Sequence, residues 1–326
     1  MSSPLGARLD GKRVLLTGAT GFIGAHLVRR ILAEPVRGLV AFARTPPAAR
    51  DPRLKHVRGD LQTVDARLWK DNAVDRVDVV FHLGAFVPKT AAENADIDGI
   101  TRVNITGARM LLDSLPSTPD AVVFASTLDV YSRPNDGVLL NESSPIGPIS
   151  LYGAAKYFGE SLLKELAAQR GFGLRILRYG HIYGPGEGAY RKFIPNAIRS
   201  MLAGRSPMVA GDGSALRDYL HVTDAAEATA RSAPVIPSEV EGPTQAIGPQ
   251  VLNIVSGTSR SLTEVVKVLQ QLMDVAVPIE YAPSSSPQHS LRFDDTAMRE
   301  ALGSWQRVPF EKGLADEVAY FKQEVT

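Results

Sequence analysis

Tyr152 and Lys156 stand four positions apart in Tyr152-Gly153-Ala154-Ala155-Lys156, at the opening of a helical pattern that runs through Ala168. On a helix that spacing sets both side chains on one face. A nearby ammonium favours phenolate over phenol and lowers the tyrosine's pKa toward the range in which it can exchange protons. Upstream, the apolar run Ala121–Ala125 ends in Ser126-Thr127, so a hydroxyl at a strand end can hydrogen-bond a reacting oxygen. Y-x-x-x-K by itself is frequent on helix surfaces. Following a strand-end Ser-Thr and a glycine-rich first turn, it describes proton transfer at an oxygen carried on carbon, with Thr127, Tyr152 and Lys156 as the catalytic set.

The glycine-rich turn is Thr17-Gly18-Ala19-Thr20-Gly21-Phe22-Ile23-Gly24. It follows the apolar run Arg13–Leu16 and precedes Ala25–Leu32, whose apolar residues recur at helical spacing. Glycines at a strand-to-helix turn permit a tight backbone and close approach to a pyrophosphate, and the helix start offers unpaired N–H groups. Further apolar runs at Leu39–Ala43, His56–Gly59, Val77–His82 and Leu174–Arg178 alternate with longer helical patterns. That alternation predicts an α/β fold with a doubly wound parallel sheet of the Rossmann type. The second run ends at Arg44, and no Asp or Glu occurs between Glu34 and Asp51. An acidic residue there takes the ribose hydroxyl of NAD, whereas an arginine suits a 2′-phosphate, so the sequence leans toward NADP over NAD.

With its G-x-x-G-x-x-G spacing, its Tyr152–Lys156 pair and the segment Ser126-Thr127-Leu128-Asp129-Val130-Tyr131, the chain resembles the extended short-chain dehydrogenase/reductases. Within them it is most similar to the NAD(P)-dependent nucleotide-sugar epimerase/dehydratase branch, from Gly18 to Trp305. The resemblance implies a cofactor site made of Gly18, Thr20, Gly21, Phe22, Ile23 and Gly24, with Asp60 and Leu61 at the adenine. Leu83 and Ala85 belong to the small-residue step Phe81–Ala85, where the family's cofactor lies close to the backbone. Asp60 reads equally well as the N-cap of a following helix. By the same resemblance Lys156 also holds the nicotinamide ribose beside Tyr152, and Asn104 ties a helix to the sheet.

Leu174–Gly186 resembles the family segment that leads into the substrate half, with His181 where an asparagine often touches substrate. A histidine satisfied within a turn is the alternative. Gly211–Asp224 resembles G-D-G-x-x-x-R-D-[FY]-x-x-V-x-D, which implies that Arg217 forks onto a nucleotide diphosphate. Its alternative is a buried structural arginine paired with Asp218 or Asp224. Ser126 and Asp129 complete the implied substrate set. The family's dehydratases carry two acid–base residues directly after the threonine, and here those positions are Leu128, which moves no proton, and Asp129, with a shorter reach than glutamate. A second departure lies before the closing pattern Asp295–Trp305: Pro283–His289 holds no arginine and Arg292 is out of phase, so one diphosphate clamp is missing. Phe193-Ile194-Pro195 begins a helix, Ser232–Gln250 reads as a loop lengthened by insertion, and Val251–Val255 resumes a strand. Leu262–Met273 reads as an amphipathic helix capped by Ser261.

A chain of 326 residues can bury one large core or two modest ones. Its net charge of +1 makes no electrostatic case for nucleic acid or an anionic membrane. The absence of cysteine excludes disulfides, thiolate metal sites and a cysteine nucleophile, and no metal is expected. No apolar run has bilayer length, and Met1–Gly6 lacks the features of a signal peptide, so a cytoplasmic enzyme is expected. The dinucleotide-binding domain is expected at 1–180 with returning segments near 215–256. A smaller, discontinuous α/β substrate domain is expected at 181–214 and 257–326. The resemblance implies reversible hydride transfer at a carbinol or keto carbon of a sugar, most naturally a sugar nucleotide, by a 4-epimerase or a 4-keto-sugar reductase. A dehydratase or decarboxylase using Asp129 is the alternative, and a non-catalytic NADP-binding sensor is the rival of another class. It also implies a homodimer formed through the Tyr152 helix and the helix near Ala108–Leu115.

Overall fold

The computed structural model describes residues 6–133, 137–188, 192–234, 250–283 and 289–325. In chain order the strands are β1 (Arg13–Thr17), β2 (Gly38–Ala43), β3 (Leu54–Arg58), β4 (Val79–His82), β5 (Ala121–Thr127), β6 (Leu139–Leu140), β7 (Gly173–Tyr179), β8 (His181–Tyr183), β9 (Met208–Ala210), β10 (Leu216–His221), β11 (Gln250–Ile254), β12 (Ser259–Ser261), β13 (Glu280–Ala282) and β14 (Arg292–Phe293). Seven of them form the large sheet, in the order β11-β7-β5-β4-β1-β2-β3. The registers of β1 with β2 and β4, of β2 with β3 and of β4 with β5 are parallel. The expected strands are all here, and the central ones are unbroken apolar runs because both faces are covered: β4 is buried at every residue and β1 at all but its first, whereas the edge strand β3 buries Val57 alone. Strand order reverses at β1 and β4, and in a doubly wound sheet the crevice beyond the carboxyl ends of such strands is where ligands bind.

The helices that matter are fixed by local chemistry. The helix Phe22–Leu32 buries Gly24, Leu27, Val28 and Ile31. The helix Leu151–Arg170 starts at Ser150, whose hydroxyl accepts the Gly153 N–H at 3.0 Å, and ends at Gly171 with φ +77°. Asn104 sits in a π-helical turn, Arg102–Thr106, and exchanges two hydrogen bonds with the Phe86 backbone at 2.8 and 2.9 Å. It therefore ties its helix to the chain leaving β4. Asp60 caps no helix. The next helix, Ala66–Asp71, is capped by Asp65, which accepts the N–H groups of Arg67 and Leu68. Asp60 lies too far upstream and closes a turn by accepting the Gln62 N–H at 2.9 Å.

The described residues fall into two compact units. The first takes in Met1–Tyr131, Ile146–Arg178 and Ala226–Leu252, and the second Ser132–Pro145, Tyr179–Ala225 and Asn253–Thr326. Residues 216–221, expected to return to the first domain, instead pair with β8 and β12 in the second unit. Ser132–Pro145 joins the second unit as well, where β6 pairs with β14. The first unit's core includes Phe42 and Trp69, ring centroids 5.4 Å apart, with Leu15, Val122 and Leu163. The second unit's core gathers Ile198, Val265, Leu269, Leu314 and Phe321. It includes the helix Leu262–Met273, begun by a capping box of Ser261 and Glu264. The closing Trp305 donates its indole N–H to Asp224 at 3.1 Å, and Asp224 also accepts the Val308 N–H at 2.9 Å. Most of the expected loop at Ser232–Gln250 and of Pro283–His289 lies outside the described residues. Among the described residues no helix is long and apolar enough to cross a membrane.

Candidate active site

The carboxyl ends of β1 and β4 meet backbone to backbone. Gly18 has φ +72°, and a Cβ there would stand 2.8 Å from Gly84 N and from the Leu83 carbonyl carbon. Thr17 Oγ1 accepts the Gly84 N–H at 2.8 Å and lies 2.8 Å from His82 Nδ1. The helix Phe22–Leu32 starts at Gly21 with no capping side chain, so its first-turn N–H groups suit an anionic group. Thr20 and Gly21 are exposed, Phe22 and Ile23 half-buried, and Gly24 is buried because the helix passes close against the Gly18 carbonyl. Leu83 and Ala85 are half-buried at the same crevice, Asp60 is half-buried, Leu61 is buried, and Arg44 is exposed one residue beyond β2. A side chain at Gly18 or Gly24 would close this cradle, so the residues present fit a dinucleotide pyrophosphate.

Thr127 ends β5, half-buried, and its Oγ1 accepts the Asp129 N–H at 3.2 Å, which leaves its O–H to donate. The next helix packs directly on that turn: a Cβ on Gly153 would stand 2.5 Å from the Asp129 carbonyl oxygen. The close approach brings the start of the helix, where half-buried Tyr152 precedes Gly153, to the turn that follows Thr127. Lys156 is 2% exposed, with Nζ 4.0 Å from the centroid of the Phe124 ring. Burial pulls this lysine down to about 7, against the opposing charge of Glu160. His82 is buried beside it, and burial, with the Lys156 ammonium, pulls it down to about 3, so the imidazole is neutral.

Ser126 points the other way from Thr127, as alternation along a strand requires. Its hydroxyl donates to Glu160 Oε1 at 2.5 Å, and Arg178 holds Glu160 with Nε at 2.9 Å and Nη2 at 2.7 Å. All three residues are buried. Sequence reasoning put Ser126 at the substrate and missed Glu160 and Arg178. The signals were a carboxylate one turn beyond Lys156 and an arginine inside the apolar run of β7. Asp129 is exposed.

In the second unit a cavity of about 540 Å³ brings His181 and Arg217 together, with Glu187, Lys192 and Tyr219 on its polar side and Phe193 and Leu262 among its apolar residues. Burial first, then the charges of Arg217 and Lys192, pulls His181 down to about 3, so it too is neutral. Arg217 Nη1 donates to the carbonyls of Leu216 at 2.8 Å and His289 at 2.7 Å. Asp218 accepts the N–H groups of Ser256 and Gly257 at 2.7 and 2.8 Å, and burial pushes it up to about 6. Lys192 Nζ lies 2.6 Å from Glu187 Oε1. Sequence reasoning passed over both, although Glu187 directly follows the Gly-Pro-Gly turn and Lys192 directly precedes Phe193-Ile194-Pro195.

The model of the NAD dependent epimerase/dehydratase family matches residues 14–248. The chain is 28% identical to the UDP-N-acetyl-alpha-D-glucosaminuronate decarboxylase of Bacillus cytotoxicus, over 96% of this chain and 98% of that protein. It is 30% identical to the UDP-glucose 4-epimerase of Azospirillum brasilense, over 89% of this chain and 86% of that protein. Among solved structures, MoeE5 in complex with UDP-glucose and NAD matches with a TM-score of 0.80 at 28% identity, covering 96% of this chain and 100% of that one.

Proposed function

The chain belongs to the NAD-dependent epimerase/dehydratase family of enzymes, and from that premise we propose that it is a 4-epimerase of a UDP-linked sugar. The observation that carries the proposal is the close packing of Gly153 on the turn after Thr127, which supports Tyr152, Lys156 and Thr127 acting as one set. Gly18–Gly24 would hold NAD(P), which would supply hydride acceptance from the carbinol carbon and its return to the other face once the keto-sugar has turned. Tyr152 takes the hydroxyl proton as the carbonyl forms and gives it back as the carbonyl is reduced. Thr127 donates its O–H to the same oxygen. The Lys156 ammonium favours the phenolate and holds the nicotinamide ribose. Leu128 moves no proton, which favours epimerisation over dehydration.

In this reading the first unit binds the dinucleotide at Gly18–Gly24, Asp60, Leu61, Leu83 and Ala85. In the second unit, Arg217 and Lys192 in the cavity take a diphosphate, and neutral His181 offers it an uncharged hydrogen-bonding group. Exposed Arg44, with no carboxylate near it in sequence, favours NADP over NAD, whereas MoeE5 was solved with NAD. Leu151 and Phe158 are 44% and 54% exposed on the helix Leu151–Arg170 and suit a two-fold homodimer in the cytoplasm. A monomer mass in light scattering at micromolar concentration contradicts the dimer. Whether the purified enzyme retains its cofactor separates the epimerase, which regenerates it, from a keto-sugar reductase, which must release it. Thermal-shift screening of UDP-sugars with cofactor present tests the substrate class, since a ligand of the native state raises apparent stability. No shift with any UDP-sugar contradicts the proposal.

A further inference from the structure

Lys156 and Glu160 stand one helical turn apart in Leu151–Arg170, the spacing at which a lysine and a carboxylate ordinarily pair. Among the described residues no ion pair joins them. Glu160 is fully buried and both its oxygens are engaged: Oε1 by the Ser126 hydroxyl and Arg178 Nε, and Oε2 by Arg178 Nη2 at 2.7 Å. Arg178 reaches it from β7, is itself 3% exposed, and rests its guanidinium 4.8 Å from the centroid of the Tyr131 ring. Lys156, as deeply buried, faces the Phe124 ring at 4.0 Å. The other titratable groups near it are Tyr152 on its own helix and neutral His82 at the end of β4.

We propose that Arg178 is a positioning residue: by holding Glu160 with a two-pronged guanidinium it denies Lys156 the carboxylate on its own helix, and so keeps the Lys156 ammonium available to Tyr152 and to a bound cofactor. A planar guanidinium takes both carboxylate oxygens in fixed geometry, which a single ammonium cannot match. Without Arg178 the buried carboxylate would be uncompensated, and the ammonium one turn away on the same helix would be drawn to it. Ser126 completes the lock and joins it to the strand that carries Thr127. The inference rests on the reading of Tyr152 and Lys156 as the acid–base pair.

The test is a pH titration of the Lys156 side chain by NMR on lysine-labelled protein, the signal assigned by its loss in Lys156→Arg. In the wild type the burial of Lys156 should set its midpoint at about 7. Arg178→Met should raise that midpoint by about one to two pH units, the range a newly paired opposite charge produces. The double variant Arg178→Met/Glu160→Gln, which removes the carboxylate as well, should return it close to the wild-type value. If Arg178→Met does not fold, Arg178→Lys carries the same test with a smaller rise, because an ammonium holds one carboxylate oxygen where the guanidinium holds two. A Lys156 midpoint that stays put in a folded single variant overturns the proposal, since a purely structural arginine alters stability alone. Collapse of both single variants beside a folded double variant overturns it too, because Lys156 should take over the freed carboxylate. The titration needs no substrate, so it can fail while Tyr152→Phe still abolishes turnover, and the reverse.

Discussion

Gly153→Ala should damage catalysis far more than folding. The added Cβ would stand 2.5 Å from the Asp129 carbonyl oxygen and 3.1 Å from its carbon, both backbone atoms that no rotamer change can move aside. Ordinary van der Waals contact begins at about 3.5 Å, so the helix start and the turn after Thr127 must part by about 1 Å. Tyr152 is the neighbouring residue and moves with the helix, while Thr127 stays with β5. A misplacement of about 1 Å at reacting groups costs on the order of 10²-fold in rate. Overpacking of this kind costs about 1–3 kcal/mol of stability, which leaves a folded enzyme. The assay is kcat on the confirmed sugar nucleotide, beside cofactor affinity and thermal unfolding. Cofactor affinity should fall less than kcat, because the cradle at Gly18–Gly24 lies on other elements and only Lys156 moves with the helix. Wild-type kcat in a folded Gly153→Ala protein would refute the argument that this contact aligns Tyr152 with Thr127.

Arg44→Asp should reverse the order of cofactor affinity, from NADP tighter than NAD to NAD tighter than NADP. Fluorescence titration of both proteins checks it, and equal wild-type curves contradict the role given to Arg44. Glu187 and Glu317 lie buried together in the second unit, where burial, and for Glu317 the adjacent Glu187 charge, hold both carboxyls above their ordinary range despite Lys192 and Arg199. A folded-state pKa above the unfolded value contributes stability that is full below the unfolded value of 4.5 and is lost as pH rises through the raised one. Glu317→Gln should therefore raise Tm at pH about 8 and lose that advantage toward the unfolded carboxylate pKa, and an offset independent of pH would contradict the pairing.

The centre of the large sheet was legible because its strands are short, doubly buried and bounded by turns, so their apolar runs stand out without help from alternation. Leu262–Met273 was legible to the residue because its period and its Ser261 cap agree. Thr127, Tyr152 and Lys156 could be named because strand end and helix spacing carry them locally. What the chain hid depends on partners distant in sequence. Ser126 looks like a second site hydroxyl until Glu160 and Arg178 arrive from a helix and another strand. Asp60 reads as a cap, and only the helix start at Ala66, capped by Asp65, shows that it is not one. Residues 216–221 fall in the segment near 215–256 expected in the dinucleotide-binding domain, and their pairing with β8 and β12 is set by register that no local pattern records.

The central claim is that Tyr152 carries the proton while hydride leaves and returns at one sugar carbon. Its most direct test follows UDP-glucose deuterated at C4, with wild-type enzyme and with Tyr152→Phe. The wild type should form the C4 epimer with deuterium retained at that carbon. Tyr152→Phe should fold, bind cofactor as before, and lose turnover by on the order of 10²–10⁴-fold. Washout of the deuterium during epimerisation, or near wild-type turnover by Tyr152→Phe, would contradict the mechanism even with the fold correct.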